Sequence, residues 1–423
     1  MLVEVPYGKG KIKINIDDTR VAGIVVGNDV PIIDENETIK KAIENPITAK
    51  SYEDFLKDRK DLLFIVNDAT RPTPTARVLE ILFKIVEPVN PKFIVATGNH
   101  RAPTKEEYQQ IFGRFYEKYK PQIYTHNSHA DNDMVYIGTS RNGTELYLNR
   151  LVIEANNIII ISSVEPHYFA GYTGGRKSLF PGVASYRSIE QNHRHAMDAR
   201  AKSLALEDNP VHEDMLDALK TFSNTNIFAL MTVLDKNHQL YAATAGHIND
   251  SFFEAVEWAK EVFVTEIEEK FDIVVAVARF PMDIDLYQSQ KALEHGKLAL
   301  KDGGILILVS SCRDGTGDDT FIRLLSSCST PTEVFKRIRE GYVLGYHKAA
   351  KLAEINLWAE MYGVTDLPDE ILKSIYIKPF HSLQDALDGA LKKKGRDAKV
   401  LFLLDGSLTV PTLDLTVNGN HPY

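Results

Sequence analysis

At 423 residues, with 44% hydrophobic and 25% charged side chains, the chain is long enough for two domains that each bury a core. A formal net charge of −9 argues against a broad nucleic-acid footprint, and any small anion would need local Arg and Lys to bind. The two cysteines, Cys312 and Cys328, exclude a disulfide scaffold and a cysteine-based zinc site and fit a reducing, cytoplasmic compartment, while no apolar run is long enough to span a membrane.

Along the chain, Leu2–Val5, Lys11–Ile16 and Ala22–Val26 alternate like short strands. Glu35–Glu44 reads as a helix that Pro46 ends. Asp61–Asn67 (DLLFIVN) is a continuous apolar run of the kind found in a parallel strand buried on both faces. It leads directly into Asp68, Ala69, Thr70, Arg71, Pro72, Thr73 and Pro74, where the prolines impose an ordered turn. A helix over Ala76–Val86 and a second buried strand, Lys92–Ala96, reach the polar loop Thr97–Arg101, which contains His100. Thr104 and Glu107 predict a capping box for the next helix. Strand, polar loop and helix, repeated, make a βαβα unit of a doubly wound parallel sheet. Such sheets place their ligands at the carboxyl ends of the strands.

Residues 121–150 read as small strands and turns. The buried strand Asn157–Ser163 then feeds His167–His193, which passes through Gly171, Gly174 and Gly175, presents Arg176, Lys177 and Ser178, and ends in a helical pattern carrying His193. Strand, glycine turn, basic residues and helix are the parts of a phosphate cradle. The P-loop pattern fails by one residue, because the position before Lys177 should be glycine and is Arg176. A helix over Asn209–Thr221, a strand over Ile227–Leu234 and a helix over Ser251–Phe263 follow.

A second α/β unit starts with the strand Asp272–Ala278 and runs through Tyr287 and Gln288 into a helix over Ser289–Leu300. The strand Gly304–Ser310, the polar loop Arg313–Asp319 and strands at Ile375–Lys378 and Ala398–Leu404 complete it. The expected fold is α/β with two domains, each a mainly parallel sheet flanked by helices. The expected boundaries are 1–267 for the N-terminal domain and 268–405 for the C-terminal domain, with 406–423 extended and returning to the first.

The side chains able to carry chemistry lie on loops after buried strands: Asp68 to Arg71, His100, and His167 to Lys177. A fourth group, Tyr287 to Lys291, opens a helix of the second unit. Together they offer His, Arg and Lys without a carboxylate pair. H-E-x-x-H, G-x-S-x-G and a G-x-G-x-x-G after the first buried strand are all missing from the sequence. Each residue also has a plain structural reading: a capping or surface histidine, a surface pair for Arg71, a tight connection for Gly171–Gly175, a solvated helix face for Lys291. His126, His129, His195, His212, His238 and His247 are assigned to structure.

DATRPTP (Asp68–Pro74), ATGNHR (Ala96–Arg101), HYFAGYTGGRKSLFPGVASY (His167–Tyr186) with QNH (Gln191–His193), and YQSQK (Tyr287–Lys291) together resemble the nickel-dependent lactate racemase family, in order and over nearly the whole chain. The resemblance implies a nickel-pincer nucleotide, the Ni(II) complex of pyridinium-3-thioamide-5-thiocarboxylic acid mononucleotide. On this likeness Lys177 holds the cofactor through a thioamide and His193 supplies the remaining nickel ligand. Asp68, Ala69, Thr70 and Arg71 contact the nucleotide, whose phosphate would suit the Gly-rich turn. His100 and His167 are the two acid–base residues, and Arg71, Tyr287, Gln288 and Lys291 hold the substrate. The first domain is then the cofactor-binding one, with the active site at the domain interface.

The implied activity is inversion at C2 of a small 2-hydroxy carboxylate, by reversible hydride transfer through a 2-keto acid. Cofactor-biosynthesis proteins are implied as transient partners. His347 stands near the family's pocket tryptophan, which favours a more polar substrate than lactate, such as malate, 2-hydroxyglutarate or a sugar acid. The alternative is a nickel- or nucleotide-binding protein without racemase activity, which would need neither His100 nor His167. A zinc hydrolase is disfavoured because a carboxylate-rich ligand set is missing from the motifs.

Overall fold

Continuous apolar runs form the central strands. In the computed structural model, which describes residues 1–57, 59 and 61–413, Leu62–Val66 and Ile158–Ser163 are buried at every position. Only a strand covered on both faces can hide every side chain, which is why these runs do not alternate. The described chain divides into two units, Asp29–Val262, and Met1–Asn28 together with Phe263 onward.

The unit Asp29–Val262 holds a six-stranded sheet in the order Leu240–Gly246, Asn226–Leu234, Asn157–Ser163, Leu62–Asn67, Lys92–Ala96, Ile123–Thr125. All neighbours are parallel except the first pair. The helix Thr75–Ile85 buries Val78, Leu79 and Leu82 against it, and Phe64 stacks on Phe93 with centroids 5.1 Å apart. The predicted capping box is present: Thr104 Oγ1 accepts from the Glu107 N–H, and the Glu107 carboxylate accepts from the Thr104 N–H. The helix Tyr52–Leu56 and the strand Leu240–Gly246 were not anticipated.

The other unit holds a six-stranded, all-parallel sheet in the order Ile377–Pro379, Glu360–Val364, Leu300–Val309, Phe271–Val277, Val400–Leu403, Val21–Val25. The chain therefore divides differently from the expectation. Residues 1–28 belong with the C-terminal half, because Val21–Val25 completes the edge beside Val400–Leu403. The hairpin of Leu2–Tyr7 and Gly10–Asn15 sends Val3, Val5 and Ile14 into a core shared with Ile273, Val275 and Phe402. Alternation marks a strand but carries no address for the sheet it joins. Val410–Leu413 pairs with Val264–Ile267 inside this same unit, so the described part of the 406–423 segment stays there. Residues 414–423 lie outside the described residues. The helix expected from Ser289 starts at Leu286, where the Asp285 carboxylate accepts from the Gln288 N–H at 2.7 Å. No helix among the described residues is long and apolar enough to cross a membrane.

Candidate active site

Asp68 and His100 lie on the loops that follow two neighbouring parallel strands, with Asn67 in register with Ala96. Asp68 is only 6% exposed. One of its oxygens accepts from the Thr70 N–H at 3.1 Å and hydroxyl at 2.6 Å, and the other accepts from His100 Nδ1 at 2.8 Å. Burial pushes the Asp68 pKa up, but the charge and hydrogen bond of His100, the Thr70 hydroxyl and the Arg71 charge outweigh it and hold the carboxyl below its ordinary value. With Nδ1–H committed to Asp68, the free acceptor of the His100 ring is Nε2. Ala69 packs half-buried against the core. Arg71 is not a surface residue: its guanidinium donates to Glu165 Oε1 at 3.1 Å, and both side chains are largely buried.

The Gly-rich loop is a small hairpin in which Pro166–His167 pairs with Gly171–Tyr172. A Cβ on Gly171 (φ +75°) would sit 2.2 Å from the Ala205 carbonyl oxygen, so no other residue fits there. Arg176 corrects the phosphate-cradle reading. Its side chain is fully buried and stacks on Phe252 at 4.0 Å. It donates to the carbonyls of Ala170, Tyr172, Thr173 and Gly174, and through Nε to His212 Nδ1 at 3.0 Å. Burial lowers its pKa to about 9, so it stays charged at neutral pH. Burial, and then the Arg176 charge, lower His212 to about 3.

The loop's backbone donors are also largely taken. The N–H of Thr173 bonds the Glu165 carbonyl, that of Gly175 bonds Ser162 Oγ, and those of Lys177 and Ser178 bond the carbonyls of Gly174 and Gly175. Arg176 is a clamp on the loop, turned away from any ligand, and these N–H groups do not await a phosphate.

Phe169, which sequence reasoning passed over, lies where three predicted residues meet. It is 2% exposed. The His167 ring stands edge-on to it at 4.6 Å, the His193 ring edge-on at 5.0 Å, and Lys177 Nζ lies 5.6 Å from its centroid. Tyr168 stacks on His167 at 5.1 Å. His167 Nδ1 accepts from the Ala170 N–H at 3.3 Å, which places the proton of the neutral ring on Nε2. His193 projects from the helix Tyr186–Arg194, which Ser185 caps. The structure thus brings His167, Lys177 and His193 together around one ring, and Asp68, Thr70 and His100 into one hydrogen-bonded group. Glu165 and Phe169, within two residues of His167, were the neighbours not anticipated.

In the other unit, Tyr287, Gln288 and Lys291 occupy the first turns of the helix Leu286–Gly296. Lys291 is 9% exposed, which overturns its reading as a solvated-face residue. Lys348, fully buried, donates to the Tyr287 carbonyl at 2.6 Å and lies 3.9 Å from the centre of that ring. It anchors the turn that carries these side chains. His347 is also fully buried, with Nδ1 2.8 Å from the Tyr342 hydroxyl. His126 is structural as expected, with Nε2 bonded to the Ala184 carbonyl. Among the described residues, no group of three or more His, Cys, Asp or Glu side chains is arranged to hold a metal ion.

Two family models match, the lactate racemase N-terminal domain over residues 7–204 and the lactate racemase C-terminal domain over residues 266–410. The lactate racemase of Thermoanaerobacterium thermosaccharolyticum is 32% identical over 418 residues, covering 96% of this chain and 97% of that protein. The lactate racemase of Lactiplantibacillus plantarum is 29% identical over 419 residues, covering 96% and 98%. The structure of the Thermoanaerobacterium lactate racemase apoprotein superposes with a TM-score of 0.90 at 32% identity, over 97% of this chain and 100% of that one. A Thermotoga maritima protein shares the fold, with a TM-score of 0.69 at 16% identity over 90% of this chain and 98% of that one. The order of motifs, the two matched domains and the full-length likeness agree, and the chain belongs to the lactate racemase family.

Proposed function

We propose that this isomerase inverts C2 of a 2-hydroxy carboxylate by reversible hydride transfer, through a 2-keto acid, with a nickel-pincer nucleotide held by Lys177 and His193. The observation that carries the reading is the meeting of an amine, a candidate metal ligand and a candidate acid–base imidazole on the Phe169 ring. The donor set fits that group. A nickel ion carried mainly by soft sulfur donors would accept one neutral imidazole from the protein. His193 is such a donor, and among the described residues no cluster of three ligating side chains competes for a bare ion. Lys177 Nζ and the His193 ring are no farther apart than their two distances to Phe169 combined.

Bound there, the group supplies a hydride acceptor, which avoids making a carbanion from the very weakly acidic Cα–H. The protein's own part is proton handling and orientation. His100 accepts the hydroxyl proton at Nε2, and Asp68 stabilises the imidazolium that results. His167 rests with its proton on Nε2; to act as the opposing acid it starts as imidazolium, giving up the Ala170 N–H at Nδ1, and becomes neutral as its Nε2 proton passes to the substrate oxygen. The other enantiomer requires the two to exchange roles, which is why two imidazoles are needed. Arg71, tethered by Glu165, supplies positive charge for the substrate carboxylate, and Tyr287, Gln288 and Lys291 keep the substrate-binding role that the likeness to the family gives them. Asp68 to Arg71 also flank the nucleotide in this reading, and separate biosynthetic proteins load it.

The test uses protein loaded with cofactor, with the adduct verified by intact mass. Single enantiomers of lactate, malate and gluconate are incubated with it and analysed on a chiral column. Inversion at C2 of one of them is expected, and Lys177→Ala should lose both adduct and inversion. Full loading with no inversion of any would instead favour a cofactor-binding protein without racemase activity.

A further inference from the structure

We propose that Phe169 is a positioning residue whose ring holds Lys177, His193 and His167 in one arrangement and thereby sets how firmly the metal-bearing group is seated. This rests on the reading of Lys177 and His193 as the points that hold that group.

The backbone that carries the ring is held from behind. The Phe169 carbonyl accepts from Asn209 Nδ2 at 2.9 Å, and Asn209 is fully buried and caps the helix Pro210–Lys220 through Val211. The next residue, Ala170, is held on both sides: its N–H donates to His167 and its carbonyl accepts from Arg176. The backbone under the ring is therefore tied to the clamped loop, and the ring itself, 2% exposed, is enclosed by its neighbours. Against this ring the two imidazoles stand nearly perpendicular, with interplanar angles of 84° for His167 and 70° for His193. That is the arrangement an aromatic quadrupole favours, with the ring edge of one partner towards the face of the other. Before the adduct forms, the same ring attracts the Lys177 ammonium and so presents the amine beside His193. An aliphatic side chain of similar volume would fill the space, but it would neither orient an imidazole nor hold a cation.

Leucine at 169 should therefore leave Lys177 able to form its adduct while removing the aromatic face against which the His193 ring stands. Wild type, Phe169→Leu and Phe169→Tyr are loaded with cofactor. Melting temperature, the fraction of chain carrying the adduct by intact mass, and nickel loss into excess chelator are then measured. Phe169→Leu should melt near wild type and lose nickel roughly three- to tenfold faster, and Phe169→Tyr should restore retention. Should Phe169→Leu fail to fold, Phe169→Met, which fills the space flexibly, is read in the same way.

Wild-type nickel retention in the aliphatic variant would overturn the proposal, as would equal losses in the aliphatic and tyrosine variants. His193→Ala and Lys177→Ala separate this from the underlying reading. If they too keep nickel and adduct, the cofactor assignment itself fails. If they lose them while the aliphatic variant does not, only the role of Phe169 fails.

Discussion

Asp68 keeps its charge in a place with almost no access to water because its two oxygens are filled by Thr70 and His100. The gain passes to His100, whose tautomer and orientation the carboxylate sets. Asp68→Asn preserves shape but replaces the negative oxygen facing Nδ1 by a neutral amide. The fold should survive, and kcat for inversion should fall by roughly 10²–10⁴-fold. Turnover of loaded protein, with melting temperature as the control, checks this; full activity would mean that His100 does not depend on the charge. The motif around Asp68 was legible in the sequence, but its partner was not. Asp68 and His100 are 32 residues apart, and only the register of two parallel strands makes them neighbours. Arg71 and Glu165, 94 residues apart, were hidden for the same reason.

At the scale of elements, the buried parallel strands could be read because complete burial leaves an unbroken apolar run. Asn157–Ser163 and Lys92–Ala96 have the bounds expected of them. The glycine loop shows where such reading stops. Gly-Gly-Arg-Lys-Ser names residue types but not directions, and Arg176 turns inward while Lys177 turns towards Phe169. Arg176→Met would leave four loop carbonyls and His212 without their donor, at a cost of about 3–5 kcal/mol. A lower urea midpoint of the cofactor-free protein measures it. Arg176→Lys should recover only part, because an ammonium lacks the planar fork. Were Arg176 an anion ligand instead, the methionine variant would keep its stability and lose only cofactor affinity.

At the scale of the whole molecule, sheet membership was the least legible property. A strand was foreseen over Ala22–Val26, one residue off the observed Val21–Val25, but its partner lies almost 380 positions away. Each unit also carries histidines that the fold keeps neutral. In Asp29–Val262, burial first, against a weaker pull from the Ala184 carbonyl, holds His126 at about 4, and His212 lies at about 3. In the other unit burial holds His295 at about 4. Below pH 6.5 the unfolded chain takes up these protons and the folded chain does not, so stability falls with pH and keeps falling until the folded values are reached. The gap between about 4 and 6.5 corresponds to about 3 kcal/mol for each of His126 and His295. Asp405 works in the opposite sense. Burial raises it to about 6, so its penalty is relieved as pH falls from 6 towards 3.8, offsetting part of the His295 loss in that unit.

Asp29–Val262 should therefore be the more acid-sensitive unit, and the chain provides a reporter for each, Trp258 there and Trp358 in the other. With Trp358→Phe as background, Trp258 fluorescence in urea should show the midpoint dropping steeply between pH 6.5 and 4. Adding His212→Gln keeps an acceptor for Arg176 but removes the titration, and should lower that slope by up to about 1.4 kcal/mol per pH unit. An unchanged slope would mean that His212 is not what makes this unit sensitive to acid.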